Sequence, residues 1–225
     1  GIAIKDRSAI LPAGHSANGA YWLYAREKAT WVTSSYYMDT LPGWVKAFNN
    51  TNKAEEYLQK SWNTLYDVNT YTNSIIDDNI FERKFTGETT SAFPHDIPKL
   101  RSQNSNFSLL KLIPSGNTFT ADFAKAAIIG ENLGQSDDTD FLAVSFSSTD
   151  YIGHQFGPAS KEIEDTYLRL DLDLERLFKV LDEKVGKGEY TLFLTADHAA
   201  PDAINYMKSN KILQLVILCL MMLLS

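Results

Sequence analysis

An α/β fold built on a mostly parallel, doubly wound sheet is what this 225-residue sequence predicts, and three consecutive segments predict it. Residues Phe141 to Ser147 read FLAVSFS, the nearly unbroken apolar run of a strand covered on both faces. Residues Lys161 to Val185 then set Ile163, Tyr167, Leu170, Leu174, Leu177, Leu181 and Val185 three or four positions apart, the stripe of a long amphipathic helix. Residues Tyr190 to Thr195 read YTLFLT, a second buried strand. Strand, crossover helix and parallel strand connect right-handedly, and ligands in such sheets gather beyond the carboxyl ends of the strands.

The remaining elements follow in chain order. Residues Ala20 to Ser35 place aromatic and β-branched residues on either side of a charged turn at Arg26 to Lys28, which predicts a hairpin. Between Leu41 and Asp67, Pro42 suits a helix start, and Leu58, Trp62 and Leu65 share a helical face, so two short helices are expected. Residues 68 to 115 mix Asn, Thr, Ser, Pro and scattered aromatics without period and read as a long surface insertion that shapes a site. A hydroxyl cap at Thr118 or Thr120 precedes a helix over Phe123, Ala126, Ala127 and Gly130 that stops near Gly134.

Composition narrows the function classes. At 44% hydrophobic and 22% charged, the chain is ordinary globular protein. Its net charge of -7 opposes a broad cationic surface for nucleic acid, so any phosphate recognition must be local. The single cysteine, Cys219, has no intrachain partner and leaves the redox compartment open. The opening GIAIKDRSAILP has neither a basic leader nor a signal-type apolar stretch. Residues 212 to 225 form an apolar tail shorter than the ~20 residues a membrane span needs, so no transmembrane span is expected. Without period or caps, the tail reads as a non-native terminus.

The candidate chemistry sits at the two expected strand ends. SSTDYIGHQFGP follows the first and sets Asp150 and His154 four apart; ADHAA follows the second with Asp197 and His198 adjacent. A carboxylate and an imidazole from each end suit zinc, and two such sets meeting would make a two-metal hydrolase site. Taken singly, an Asp and a His four apart is an ordinary helix surface pair and an adjacent Asp-His an ordinary turn. Gly153 and Gly157, bracketing His154, are expected to permit tight turns. His15 and His95 are assigned to loop or packing roles.

The strings FSSTDYIGHQFGP, LTADHAA, KDRSAILPAGH and SSYYMDTLPGWVKAFNN resemble the alkaline phosphatase superfamily, in its branch of type I phosphodiesterases and nucleotide pyrophosphatases. Within it the chain is most similar to bacterial phosphate-monoester phosphatases that pair a Lys with an Arg. The resemblance implies that Asp150 and His154 ligate one Zn2+ and that Asp197 and His198 ligate a second. It implies also that Lys5 and Arg7 hold nonbridging oxygens of small phosphate-ester substrates, with Asp6 orienting its neighbours. A guanidinium that donates twice beside an ammonium point charge suits a dianionic monoester better than a diester.

On this resemblance, residues 1 to 211 are the central part of a catalytic domain, in a periplasmic or secreted enzyme. The Thr or Ser nucleophile, an Asp ligand upstream and a His ligand downstream cannot be placed, so no catalytic nucleophile is assigned in this chain. The chain expressed as written is expected to hydrolyse no phosphate ester above background. Two alternatives stand beside the monoesterase: a phosphodiesterase or nucleotide pyrophosphatase, and an inactive metal-binding remnant of a disrupted gene.

Overall fold

Ile2 and Ala3 are apolar and buried, and they form an inner strand of the sheet, β1 (Ile2–Ala3). In the computed structural model, which describes residues 1–202 and 204–211, β1 leads through Lys5 into α1 (Asp6–Ala13). The hairpin follows as β2 (Tyr21–Ala25) and β3 (Ala29–Val32), then α2 (Gly43–Asn49) and α3 (Lys53–Leu58). Short α4 (Ile97–Leu100) precedes the long α5 (Ser115–Gly130). Next come β4 (Val144–Ser145), α6 (Ser148–Phe156), α7 (Lys161–Leu181) and α8 (Ile204–Ser209).

The strand order is β3-β2-β1-β4, with β1 parallel to both neighbours and β2 antiparallel to β3. Because side chains alternate across a strand, Ile2 and Ile4 enter the large core while Ala3 faces the other way, against Ala9 of α1 and Ala20. Helices therefore cover both faces, as the α/β reading expects. The large core centres on Phe123 of α5, whose ring stacks on Trp31 at 4.2 Å and meets Tyr21 and Phe48 edge-on. Phe85, Ile97, Leu100, Leu109, Leu110 and Ile113, from the 68 to 115 stretch, join this same core.

Several sequence expectations need correction. Residues 190 to 195 form no strand and lie mostly exposed, with Phe193 at 70% and Leu194 at 83%. The first strand is also shorter than expected: only Val144 and Ser145 pair, with β1, and Phe141 is exposed. Among the described residues nothing pairs with the outer edge of β4, so the apolar run there has no second strand to extend against. α5 begins at Ser115, not at a threonine cap. Thr118 donates instead to Asp173, and Thr120 donates back to the Gly116 carbonyl inside the helix.

Trp62 does not continue α3; it makes a two-hydrogen-bond bridge with His95. Gly157, at φ +98°, does end α6 in a conformation that favours glycine, whereas Gly153 is an ordinary helical position with open contact distances. The apolar tail, residues 212 to 225, lies outside the described residues. Among those described, no helix is long and apolar enough to cross a membrane.

α7 carries buried acids as well as apolar residues, and they tie the preceding loops to it. Asp165 is fully buried and accepts from Trp62 Nε1 at 2.7 Å, Leu65 N at 2.7 Å, Tyr71 Oη at 2.5 Å and Arg169 Nε at 2.6 Å. Removing the acceptor would strand buried donors and a cation together. Asp165→Ala should cost about 3–5 kcal/mol of stability, read as a lower urea midpoint at unchanged slope.

His95 is equally buried, between Glu88 on Nδ1 at 2.8 Å and Glu162 on Nε2 at 3.3 Å. Burial alone would lower its pKa, but the two carboxylates outweigh it and raise it from 6.5 to about 9. The folded protein thus binds a proton more tightly than the unfolded chain does. That stabilisation is complete below pH 6.5 and is lost as pH rises through about 9. Between those limits the unfolding free energy should fall with pH, by up to ~1.4 kcal/mol per unit from this group, and the melting temperature with it. His95→Asn should flatten that part of the profile.

Candidate functional site

β1 and β4 run parallel, so both deliver their carboxyl ends to one edge of the sheet. Lys5 leaves β1 there as the residue capping α1, and Asp150 leaves β4 there in the first turn of α6. The Lys5 ammonium forms an ion pair with Asp150 Oδ2, joining residues 145 positions apart. It also lies over the Tyr151 ring, 4.7 Å from the centroid.

The other oxygen, Asp150 Oδ1, faces two imidazoles. His154 Nε2, one helical turn along α6, stands 3.4 Å away, and His198 Nε2 stands 3.6 Å away. Two of the other three sequence-assigned ligands, His154 and His198, thus approach the Asp150 carboxylate. Asp197 does not join them directly: it is 84% exposed, and its carboxylate accepts from the His198 backbone N–H at 3.2 Å and lies 3.7 Å from the His198 ring. Arg7 is exposed near the start of α1, where its backbone N–H donates to Asp6 Oδ1 at 2.7 Å. Of the two histidines kept out of the site, His15 meets Tyr36 at the surface and His95 sits in the core.

Oxygen and nitrogen donors of this kind suit zinc. Asp150 meets an ammonium on Oδ2 and two imidazoles on Oδ1, and the His154 and His198 side chains are 75% and 55% exposed. The donors are the right kind and accessible. Among the described residues, however, no three His, Cys, Asp or Glu side chains are gathered in a ready metal-binding group.

The supports under these residues were not foreseen from sequence. Asn117 of α5, 1% exposed, accepts from Ser148 N at 3.2 Å and donates to Thr149 Oγ1 at 3.0 Å, gripping the two residues before Asp150. Its neighbour Gly116 lets α6 approach, since a Cβ there would lie 2.2 Å from Ser148 Oγ and 2.4 Å from the Leu110 carbonyl. Lys5 N donates to Ser147 Oγ at 3.5 Å, a second tie across the strand ends. Nothing in PSGNTFT marks Asn117 locally; only the cluster of hydroxyls in FSSTD hints that the turn needs an outside partner.

A family model described as Type I phosphodiesterase / nucleotide pyrophosphatase matches residues 3–220. The chain belongs to that family. The match runs into the apolar stretch after residue 211. Alkaline phosphatase PhoV of Synechococcus elongatus is 53% identical over 209 residues, 93% of this chain and 38% of the relative. A Myroides odoratus protein named Calcium-transporting ATPase is 56% identical over 202 residues, 89% of this chain and 36% of the relative.

The crystal structure of wild-type alkaline phosphatase PafA superposes with a TM-score of 0.88 at 45% identity, covering 94% of this chain and 40% of that one. A second PafA structure, with a TM-score of 0.88, is a variant whose replaced residues include a lysine and an arginine two positions apart, both changed to alanine. This chain therefore spans about 40% of the length of the relatives it matches.

The close approach of α5 to α6 is directly testable. Gly116→Ala should overpack that contact and cost about 1–3 kcal/mol, and Asn117→Ala should cost a similar amount by stranding the Ser148 N–H. Both are measured by urea unfolding against the parent chain.

Proposed function

We propose that this chain supplies metal ligands and phosphate-gripping cations to an alkaline phosphatase that hydrolyses small phosphate monoesters. The observation that carries the reading is the gathering of Lys5, His154 and His198 on the Asp150 carboxylate, at the carboxyl edge of two parallel strands. Relatives named as alkaline phosphatases support the same class.

In this reading Asp150 and His154 hold one Zn2+, and Asp197 and His198 a second. Bound zinc would supply Lewis-acid stabilisation of phosphoryl oxygens. Lys5 reaches the anion from its place beside Asp150, as a flexible point charge. Arg7 offers a planar fork to two phosphoryl oxygens, a geometry that a dianionic monoester fills better than a diester. A lysine and an arginine at the same spacing were replaced in the PafA variant, which singles out such a pair for attention. A periplasmic or secreted location belongs to the same proposal. The second reading, a phosphodiesterase, is favoured by the family's description.

A chimera tests both readings: residues 1–211 replace the matched part of PafA from Elizabethkingia meningoseptica, which is 45% identical. Aryl mono- and diesters are assayed at alkaline pH. Chelation should abolish monoester turnover and zinc should restore it. Arg7→Ala should lower monoester turnover roughly 10- to 100-fold, the value of a charge-assisted bond pair, and diester turnover far less. Equal losses on the two esters would favour the diesterase, and indifference to chelation would end the metal assignment.

A further inference from the structure

We infer that Lys5 is an internal counter-ion for Asp150, neutralising the carboxylate until a metal takes it, and that Tyr151 keeps the displaced ammonium beside the site. This rests on the metal and phosphate reading and adds an order to it: metal first, phosphate second. The starting observation is a conflict of roles. Asp150 is assigned to a metal and Lys5 to a phosphate, yet the two are bonded to each other. While that bond holds, the ammonium is committed to a carboxylate and Asp150 Oδ2 has a lone pair engaged.

The pair is placed to open. Both side chains are partly exposed, at 31% and 25%, and ion pairs so exposed hold weakly and yield to a stronger cation. Lysine is the suitable cation for such an exchange, because its compact head carries three rotatable donors on a flexible stem. An arginine fork would lock onto the carboxylate at two points. The parallel pairing of β1 with β4 holds side by side the two segments that lead to Lys5 and Asp150, so the exchange needs only the lysine side chain to move.

The Tyr151 face, 4.7 Å from the ammonium, offers a seat that survives the loss of Asp150. A ring face attracts a cation without competing for the metal. Lys5 would then remain within reach of the site with its donors free. His154 and His198 approach only the other oxygen, Oδ1, so the exchange at Oδ2 does not require them to leave.

Zinc titration calorimetry on the purified chain separates this inference from the reading beneath it. Asp150→Asn should abolish or greatly weaken zinc binding; unaltered binding overturns the metal reading and the inference with it. Lys5→Met removes the competing charge at nearly constant volume and should tighten zinc binding roughly 3- to 10-fold. Lys5→Arg keeps the charge and should stay within about twofold of the parent or bind more weakly. A Lys5→Met chain that binds zinc no more tightly than its parent, while Asp150→Asn loses binding, overturns the counter-ion role alone.

A zinc-loaded crystal structure of the unaltered chain gives an independent reading. The Lys5 ammonium should have left hydrogen-bonding distance of Asp150 and remain over Tyr151. An intact Lys5 to Asp150 bond beside bound zinc, or an ammonium turned away from the ring, overturns the exchange.

Discussion

The parallel pairing of Ile2 with Val144 and of Ala3 with Ser145 brings two distant parts of the chain to one edge of the sheet. Each of these strands is only two residues long, so hydrogen bonds between them are few and the arrangement depends on what packs around it. α5 lies against β1 and β4 on one face, while α1 covers the other through Ala9, Ala3 and Ala20. Small residues on that second face let α1 come close, which aims its first turn, and Lys5 just before it, at the same edge as α6. The contact of Lys5 with Asp150 follows from this pairing.

Electrostatics explain why the edge is polar without being cationic overall. The chain carries a net charge of -7, yet Lys5, His154 and His198 surround one carboxylate and Arg7 stands close in sequence to Lys5. One ammonium paired with one carboxylate is not a broad cationic surface, and a nucleic-acid backbone would need positive charge spread over a long one. The acids that set the overall charge are partly spent elsewhere. Asp165, Glu162 and Asp173 are buried on α7, each with a structural cation or donor: Arg169, His95 and Arg176 respectively.

Elements with a strong period of their own were legible in the sequence. The α7 helix and the hairpin around Arg26 to Lys28 could be read directly, because 3.6- and 2-residue patterns report burial on one side, although Tyr167 of the expected stripe is exposed and α7 ends at Leu181. Asp150 and His154 were legible by another route, their place after the FLAVSFS run and the family resemblance; that α6 sets them one helical turn apart was not read from the sequence. What failed was pairing. FLAVSFS and YTLFLT look like adjacent strands, but apolar composition does not say which edge a strand will meet. The true neighbour of β4 is the two-residue IA near residue 2, too short to give any period. Asn117 and Gly116 escaped because their role exists only once α5 and α6 touch.

The same reasoning shows how stability in one region serves geometry in another. α6 carries Asp150 near its start and Phe156 at its end, and Phe156 packs on His95, Phe85 and Trp62. Those rings belong to loops held by Asp165 and Glu162 of α7, and α7 starts only four residues beyond the glycine that ends α6. The polar ties at Asp165 and His95 therefore fix the far end of the helix whose near end is gripped by Asn117. A helix pinned at both ends cannot rotate by the fraction of a turn that would carry Asp150 away from Lys5 and His198. The buried acids of α7 touch none of the candidate ligands, yet they limit where the Asp150 carboxylate can point.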